Sequence, residues 1–358
     1  MKLIFFSTDQ IGDAILANAL LDSIATNIPN AEIYVFSKNH CRTEILFQKN
    51  TNIREISTVS TRIFSLKSYK SFWYLCKIVK NSPKNQQIYI TSLLGSKTIF
   101  IALLPILAVF KVFGWNIKIF GMKSYSEMAS EHIISHHIRQ FERNFGVKFA
   151  NDDNNQENFL QKFIGDIPKR QQKTIAILAG ASILEKTLPA EKFAKIIMHF
   201  AGEGFKIKLL GSKSAVDQHQ VSEIMRIING RVPVYNLAGN TDLKGYFSEI
   251  ASAEYVITND SSGQHIANAL GTPCGVLWAR HRENSIVKAY SWQNAITANI
   301  FGEMYFYCKK CSILRGFLIT KPHCKRCIRE NYSKMDENAI ILQIEEHLSC
   351  LRTLQKIS

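Results

Sequence analysis

Long apolar runs are the first feature that the sequence lacks. The most apolar stretch covers residues 98–110, lies between Lys97 and Lys111, and is interrupted by Pro105. It is shorter than the roughly 20 residues needed to cross a bilayer, so a polytopic membrane protein is excluded. We expect a buried or surface-docked helix here, with an interfacial membrane anchor as the alternative.

We also expect no secretory signal. The N-terminal apolar run stops at Ser7, short of the roughly 7–15 apolar residues that a signal peptide needs. We therefore interpret residues 1–6 as a β-strand and expect a cytoplasmic protein, in which eight cysteines do not indicate a disulfide framework. Low-complexity tracts and short repeats are absent, and hydrophobic residues make up 46%, which excludes disordered and collagen-like chains.

Acidic residues are scarce. Asp and Glu number 29 against 44 Lys and Arg, which gives a formal net charge of +15. Such an excess favours phosphates, nucleic acid or an anionic membrane surface as partners, and it does not bear on the fold. At 358 residues the chain is too long for one ordinary domain, so we expect two.

Short β-type runs alternate with helical patterns, which predicts βαβ units and mainly parallel sheets. A polar segment at residues 150–173 places the boundary between a domain of residues 1–168 and a domain of residues 169–358. Both are predicted to be doubly wound α/β domains that face a central cleft. An apolar face along residues 341–351 predicts a terminal helix that packs back against the other domain. The predicted strands are Lys2–Phe6, Glu32–Phe36, Gln87–Thr91, Asn116–Phe120, Thr174–Leu178, Phe205–Leu210, Val234–Leu237, Tyr255–Thr258 and Cys274–Trp278.

Residues that follow each strand are candidates for chemistry, because ligands of doubly wound domains bind beyond the carboxyl ends of the strands. After the first strand, Gly12 permits a tight turn and Asp13 stands at the start of a helix. Asp13 is either an N-cap, which accepts hydrogen bonds from the first free amides, or a general base at the mouth of the cleft. The loop lacks the G-x-G-x-x-G fingerprint, which weakens an interpretation as a Rossmann oxidoreductase.

A second loop follows the first strand of the second domain. Gly180 and Ser182 would let a phosphate approach the backbone, and Lys186 would neutralise its charge. A mobile surface lysine is the alternative interpretation. The Gly-Lys-Ser/Thr of a Walker A loop is missing here.

A sharper pattern follows a later strand of this domain, where a polar turn leads into a helix that starts near Gly263. The free amides and positive end of such a helix attract anions, and Ser261 and Ser262 can donate to phosphate oxygens. His265 would add charge or a hydrogen bond, with an ordinary structural histidine as the alternative. Asp260 would fix the turn or bind sugar hydroxyls.

Two C-x-x-C pairs near the C-terminus have a spacing that suits tetrahedral zinc. All four positions would be filled by protein, so such a site is structural; free thiols are the alternative. The segment Lys309–Arg329 also holds seven Lys and Arg and no acidic residue. This pattern is typical of a solvated face, of attraction to a phosphorylated acceptor at a membrane, or of nucleic-acid binding. The four cysteines are Cys308, Cys311, Cys324 and Cys327.

Three stretches together resemble glycosyltransferase family 9, the lipopolysaccharide heptosyltransferases. Gly12-Asp13-Ala14-Ile15-Leu16 is similar to the opening Gly-Asp segment of the family, and Gly180-Ala181-Ser182 followed by Lys186 is similar to its donor-phosphate loop. Asn259-Asp260-Ser261, continued through His265 to Gly271, is similar to its donor signature. The resemblance spans roughly residues 1–280, and a cysteine-bearing tail occurs in some members.

The resemblance implies a GT-B fold, an inverting mechanism without a catalytic metal, and ADP-heptose as the donor. Asp13 would deprotonate the acceptor hydroxyl, and Lys186 would stabilise charge on the leaving diphosphate. The implied donor-binding residues are Gly180, Ser182, Asp260, Ser261, Ser262, Gly263 and His265.

The implied function is transfer of heptose to a lipopolysaccharide core or a related glycolipid. The enzyme would lie at the cytoplasmic face of the inner membrane, with a nucleotide sugar and an anionic glycolipid as its partners. Two alternatives stay open: a GT-B transferase that uses a UDP- or GDP-sugar, and a zinc-ribbon protein that binds nucleic acid through Cys308–Arg329. The second alternative explains the charge and the cysteines but leaves Asp13 and Lys186 without a role.

Overall fold

The computed structural model describes the chain at residues 1–7, 10–38, 44–48, 50–59, 66–92, 105, 107–119, 133–149, 163–278, 298–301 and 325–357. The chain divides into an N-terminal unit within residues 1–163 and a C-terminal unit that comprises residues 164–358 and a short preceding segment, 129–132. The boundary predicted from the sequence lies between residues 168 and 169. Each unit contains one sheet, and the strand pairs among the described residues are parallel.

The N-terminal unit has a five-stranded sheet in the order β3-β2-β1-β4-β5. Leu3, Ile4 and Phe5 of the central strand are fully buried, as expected for a parallel sheet covered by helices. The edge strand β3 is missing from the prediction, because Arg54 and Glu55 interrupt its apolar pattern. The strands are β1 (Lys2–Ser7), β2 (Glu32–Lys38), β3 (Ile53–Val59), β4 (Ile88–Ser92) and β5 (Ile117–Ile119), and the helices are α1 (Ile11–Asn27), α2 (Glu44–Phe47), α3 (Leu66–Lys80) and α4 (Ile133–Phe145).

One face of this sheet is covered by α3 and by residues 107–112, which are also helical. Leu75 and Val79 of α3 share a buried cluster with Leu107 and with Ile4 of the central strand. The helical residues agree with the helix predicted around residues 98–110, most of which lies outside the described residues. Within the described part of the chain, no helix is long and apolar enough to cross a membrane.

The C-terminal unit has a six-stranded sheet in the order β11-β10-β9-β6-β7-β8. The five strands predicted for this half are present, and β11, which follows residues outside the description, is missing from the prediction. The strands are β6 (Gln171–Leu178), β7 (Lys206–Leu210), β8 (Val234–Asn236), β9 (Ala253–Asn259), β10 (Cys274–Leu277) and β11 (Ala298–Phe301). The helices are α5 (Ala190–Gly202), α6 (Ala215–Ile228), α7 (Leu243–Ala251), α8 (Ser262–Ala269), α9 (Lys325–Lys334) and α10 (Glu337–Ile357).

The terminal helix α10 belongs to the core of the C-terminal unit itself. Ile344 and Leu348 are buried in one cluster with Phe193 and Ile197 of α5. The predicted packing against the other domain is therefore wrong. The apolar face of α5 needs a cover, and α10 supplies it within the same unit. Two polar contacts add to this packing: Nε2 of His199 lies 2.8 Å from Oε1 of Glu345, and Oη of Tyr255 lies 2.8 Å from Nδ1 of His347.

Each sheet has a point at which the strand order reverses. In the N-terminal unit the first strand, β1, lies between β2 and β4, and in the C-terminal unit β6 lies between β7 and β9. A crevice opens beyond the carboxyl ends of the strands at such a point, and ligands of α/β sheets bind there. The fold therefore directs attention to the turns after β1, β6 and β9.

Candidate functional site

The turns after β6 and β9 are joined by the buried side chain of Asn259, the last residue of β9. Its Nδ2 donates to the carbonyl oxygens of Ala179 at 2.7 Å and Gly180 at 3.3 Å. Its Oδ1 accepts from the amide of Leu188 at 3.0 Å. From the other side, Nε2 of Gln220 donates to the Leu188 carbonyl at 2.6 Å. The loop after β6 is thus held at both of its ends.

Lys186 lies in a short 3-10 turn, Leu184–Lys186, within this loop. Its Nζ is 3.8 Å from Oδ2 of Asp260, and the two side chains are only 18% and 10% exposed. The side chain is therefore mostly enclosed, and the alternative of a mobile surface lysine is wrong. The neighbouring Glu185 is held by Lys325 of α9, whose Nζ lies 3.2 Å from Oε1 of the glutamate.

Asp260 carries a carboxyl whose charge depends on pH near neutrality. Burial raises the pKa of Asp260 to about 7, while a hydrogen bond from Nε2 of Gln264 acts in the opposite direction. The ammonium of Lys186 at 3.8 Å favours the ionised carboxylate. Asp260 is therefore a neighbour of Lys186 that adds negative charge as the pH rises.

Helix α8 begins directly after this carboxyl. Ser261 is its N-cap, and Oγ of Ser261 lies 3.4 Å from the Gly263 amide and 3.2 Å from Oγ1 of Thr258. A Cβ on Gly263 would lie 2.4 Å from Cδ2 of Leu178 and 2.6 Å from Oγ1 of Thr258, so only glycine lets the helix start this close to the sheet. Ser262 is the first residue of the helix, where amides and the helix dipole favour an anion.

His265 lies in the first turns of α8 and is buried. Burial lowers the pKa of its imidazole to about 3, so the ring is neutral at physiological pH. The expectation that His265 adds positive charge is therefore wrong, whereas a hydrogen bond from a neutral ring remains compatible with its position.

Gly180 is packed against the start of α6. A Cβ at this position would lie 1.9 Å from Oδ1 of Asp217, whose other oxygen accepts from the amide and the hydroxyl of Ser212 at 2.7 and 2.6 Å. Asp217 was not among the residues predicted from the sequence. The signal for it is its position three residues after Ser214, the N-cap of α6, which is the spacing of a capping pair. Ser182 is exposed in the loop.

Tyr332 of α9 is a further residue that sequence reasoning missed. Its hydroxyl is buried, donates to the Leu277 carbonyl at 2.9 Å, and lies 3.4 Å from the amide of Asp260. It thereby connects the ends of β9 and β10 with the tail that carries the cysteines. Nothing in the sequence pattern of the tail indicates this contact, because it joins residues far apart in the chain.

Asp13 lies in the N-terminal unit and is the third residue of α1. Gln10, not Asp13, is the N-cap, and Oδ2 of Asp13 accepts from the Gln10 amide at 3.0 Å. The predicted N-cap position is therefore wrong, but the carboxylate does stabilise the helix start. This contact is compatible with a second role as a base.

The cysteine cluster is described only in part. Cys308, Cys311 and Cys324 lie outside the described residues, whereas Cys327 is buried in the first turn of α9. Among the residues that the structure covers, no group of His, Cys, Asp and Glu is arranged to hold a metal ion. Of the other cysteines, Cys274 is buried in β10, which raises the pKa of its thiol to about 12.

The fold places this chain in the GT-B class, in which each of two α/β units contains a parallel sheet. The chain is similar in structure to "E. coli heptosyltransferase WaaC with ADP", with a TM-score of 0.65 and 15% sequence identity. The similarity covers 97% of this chain and 100% of the other chain. The chain is also similar to "Structure of E. coli ADP-heptose lps heptosyltransferase II", with a TM-score of 0.61 and 16% sequence identity, over the whole of both chains. The family model for glycosyltransferase family 9 (heptosyltransferase) matches residues 113–313. The chain belongs to this family.

A curated relative is lipopolysaccharide heptosyltransferase 2 of Salmonella typhimurium, which is 33% identical over 95 residues. The same protein of Escherichia coli matches to the same extent. The match covers 26% of this chain and 27% of the relative, so the chain spans about a quarter of the length of the curated relatives.

Proposed function

We propose that the protein transfers a heptose from ADP-heptose, with inversion at the sugar, to a lipopolysaccharide core or a related glycolipid. Membership of glycosyltransferase family 9 supports the reaction class. The names of the relatives support the substrates: the curated relative is a lipopolysaccharide heptosyltransferase, and one similar structure is described with ADP.

One observation carries the proposal. At the point where the strand order reverses in the C-terminal unit, Lys186 and the start of α8 meet through Asp260, which lies 3.8 Å from the lysine and directly before the N-cap Ser261. A cation and a helix N-terminus beside each other suit a diphosphate, which carries several negative charges. Gly263 lets this helix start close to the sheet, because a Cβ there would lie 2.4 Å from Cδ2 of Leu178.

The proposed chemistry uses groups of the chain itself. The acceptor oxygen attacks the anomeric carbon of the donor from the face opposite the diphosphate, and the bond from that carbon to the diphosphate oxygen breaks. Asp13 takes the proton of the acceptor hydroxyl. The negative charge that develops on the leaving diphosphate is stabilised by Lys186 and by the first amides of α8, so no catalytic metal is required. Asp260, an anion at higher pH, contacts sugar hydroxyls and not phosphate.

The first test is the shift in melting temperature with ADP, UDP, GDP, CMP and NADH. A ligand at about 100 times its dissociation constant adds roughly 2.7 kcal/mol of stability. We expect ADP to stabilise the protein selectively and Lys186→Gln to weaken this effect. Selective stabilisation by UDP or GDP would replace the donor and keep the reaction class, and no response to any nucleotide would contradict the proposed site.

Two substitutions separate the two roles of Asp13. Asp13→Asn retains an oxygen that accepts from the Gln10 amide but cannot take up the proton, whereas Asp13→Ala removes both functions. If Asp13 is the base, both variants lose turnover by about 10²-fold or more and keep their ADP affinity. If it serves only the helix start, Asp13→Asn keeps turnover, and Asp13→Ala loses about 1 kcal/mol of stability.

Metal independence has its own measurement. Turnover is expected to persist when a chelator removes labile divalent cations while the circular dichroism spectrum stays unchanged. Prompt loss of turnover in a protein that is still folded would contradict the metal-free mechanism.

We also propose that Cys308, Cys311, Cys324 and Cys327 hold a structural zinc ion. The described member, Cys327, is a buried sulfur at the start of α9, and α9 contacts the 3-10 turn that carries Lys186. The ion would fix the start of α9. Metal analysis should find zinc in the wild type, and Cys327→Ser should lose zinc and melt at a lower temperature. A wild type purified without metal would contradict the proposal.

A further inference from the structure

The N-terminal unit contains a long stretch without any acidic residue. Residues 56–126 include ten Lys and Arg and neither Asp nor Glu, although the whole chain has 29 acidic residues. The stretch covers α3, β4, β5 and the helical residues 107–112. The stretch therefore carries a positive charge that no acidic residue within it balances.

Helix α3 presents an aromatic and cationic face to solvent. Trp73 is 62% exposed, and Nζ of Lys77 lies 5.7 Å from the centre of its ring. Lys80 is also exposed and follows at the helical spacing that places it on the same face as the other two. On the opposite side, Leu75 and Val79 are buried against the sheet.

The helical residues 107–112 and the turn after them expose further apolar side chains. Val112 is 83% exposed and Phe113 is 64% exposed, while Leu107 is buried in the same cluster as Leu75 of α3. The turn rests on the end of α3, because Nε1 of Trp115 donates to the Ser82 carbonyl at 3.1 Å. The two exposed faces therefore belong to one layer of helices over the sheet.

Exposed lysines accompany these apolar side chains on or next to the same elements. Lys84 lies with its Nζ 5.0 Å from the centre of the Trp115 ring, and Lys111 is exposed beside Val112. We define the docking face as Trp73, Val109, Val112 and Phe113 together with Lys77, Lys80, Lys84 and Lys111. Exposed aromatic and aliphatic side chains accompanied by exposed lysines are the chemistry of a surface that enters the interface of an anionic bilayer.

We propose that the N-terminal unit binds the surface of a bilayer that contains anionic phospholipid through the docking face. Two other occupants fit less well. Val112 and Phe113 gain little from the phosphates of a nucleic acid, because that binding is electrostatic. A second copy of the chain would bring two cationic faces together, which costs energy.

The inference rests on the acceptor part of the proposed function, since a glycolipid acceptor lies in a bilayer. Its test uses neither donor nor acceptor. The full chain is sedimented with vesicles of phosphatidylcholine alone and with vesicles of equal parts of phosphatidylcholine and phosphatidylglycerol. We expect binding to the anionic vesicles that weakens with salt, and weak or no binding to the neutral ones. Absence of vesicle binding would overturn the docking face but not the proposed transfer reaction. Absence of transfer in a protein that still binds vesicles would contradict the transfer reaction but not the docking face.

Two double variants remove the two components of the docking face. Val112→Ser with Phe113→Ser should weaken vesicle binding at least about tenfold, because both apolar side chains lose their burial in the interface. Lys80→Gln with Lys111→Gln should weaken it about fivefold for each lysine. Both variants should melt at the wild-type temperature, since the substituted side chains are exposed.

Matched controls lie on the C-terminal unit. Tyr235→Ser with Leu342→Ser removes one aromatic and one aliphatic side chain that are more than half exposed, and Lys169→Gln with Lys244→Gln removes two exposed charges. Neither control should change vesicle binding. Equal losses in controls and docking-face variants would overturn the proposal. Binding to a polynucleotide that depends on Lys80 and Lys111 but not on Phe113, without vesicle binding, would replace the bilayer by nucleic acid.

Discussion

Asn259 is expected to stabilise the C-terminal unit far more than an ordinary buried asparagine. Its side chain makes bonds of 2.7 and 3.0 Å and a longer one of 3.3 Å, all to backbone groups of the loop after β6. At about 1 kcal/mol for each bond, plus the cost of leaving the Leu188 amide and Ala179 carbonyl buried without this partner, Asn259→Ala should lose roughly 3–5 kcal/mol.

Asn268→Ala is the matched control for this prediction. Asn268 is also buried, but its Nδ2 makes one bond, at 3.1 Å, to the Gln264 carbonyl within its own helix. The expected loss is about 1 kcal/mol or less. Asn259→Asp keeps the oxygen that accepts from Leu188 but turns the second oxygen toward two carbonyls, so it should be at least as damaging as alanine at neutral pH.

The assay combines urea unfolding with hydrogen exchange of the Leu188 amide, followed by mass spectrometry or NMR. Exchange at Leu188 should accelerate strongly in Asn259→Ala and remain near the wild-type rate in Asn268→Ala. The reasoning is refuted if the two alanine variants lose equal stability and the Leu188 amide exchanges at the wild-type rate in both.

Three further predictions address the same unit. Gly263→Ala places a Cβ 2.4 Å from Cδ2 of Leu178 and should lower the free energy of unfolding by about 1–3 kcal/mol or more. In the control Gly202→Ala the Cβ meets nothing within 4 Å, so this variant should be neutral or slightly stabilised. Equal melting temperatures of the two variants would contradict this prediction. Tyr332→Phe should lose about 1–2 kcal/mol in urea unfolding and weaken ADP binding, since the tyrosine hydroxyl contacts the turn before α8; wild-type values for both would show that the contact is unimportant. Asp260 has a pKa of about 7 in the folded protein and an ordinary value of 3.8, so the folded state binds its proton more tightly and wild-type stability falls as the pH rises from about 4 to 7. The stability of Asp260→Asn relative to wild type should therefore increase over this window, by at most about 1.4 kcal/mol per pH unit, and stay constant above it. The same difference in unfolding free energy between variant and wild type at pH 5 and at pH 8 would be inconsistent with the raised pKa.

The alternation of apolar strands and amphipathic helices was sufficient to predict the parallel sheets, because this pattern is local. Strand β6, with its run of buried residues at Thr174–Leu178, is an example. The failures occur where the deciding contacts are not local. Strand β3 is an edge strand with polar residues, and the position of α10 depends on which apolar face, that of α5 or one in the other unit, needs a cover.

The site was predictable where strand order alone brings residues together. Lys186 and Asp260 follow strands that are neighbours in the sheet, so the sequence was sufficient to name both as candidates. Tyr332 could not be found in this way, since its contact with Leu277 depends on the path of the tail. The neutral state of His265 was equally hidden, because it follows from burial and not from residue type.

The packing of α10 has a consequence for the order in which the units form during synthesis. Ile344 and Leu348, which complete the core around α5, emerge from the ribosome long after Phe193 and Ile197, the α5 residues in the same buried cluster. The buried cluster described for the N-terminal unit is built from residues 4–117, so it can form while the rest of the chain is still being made. The C-terminal unit keeps an uncovered apolar face on α5 until residues 337–357 arrive, and in that interval this face is available for aggregation or for a chaperone.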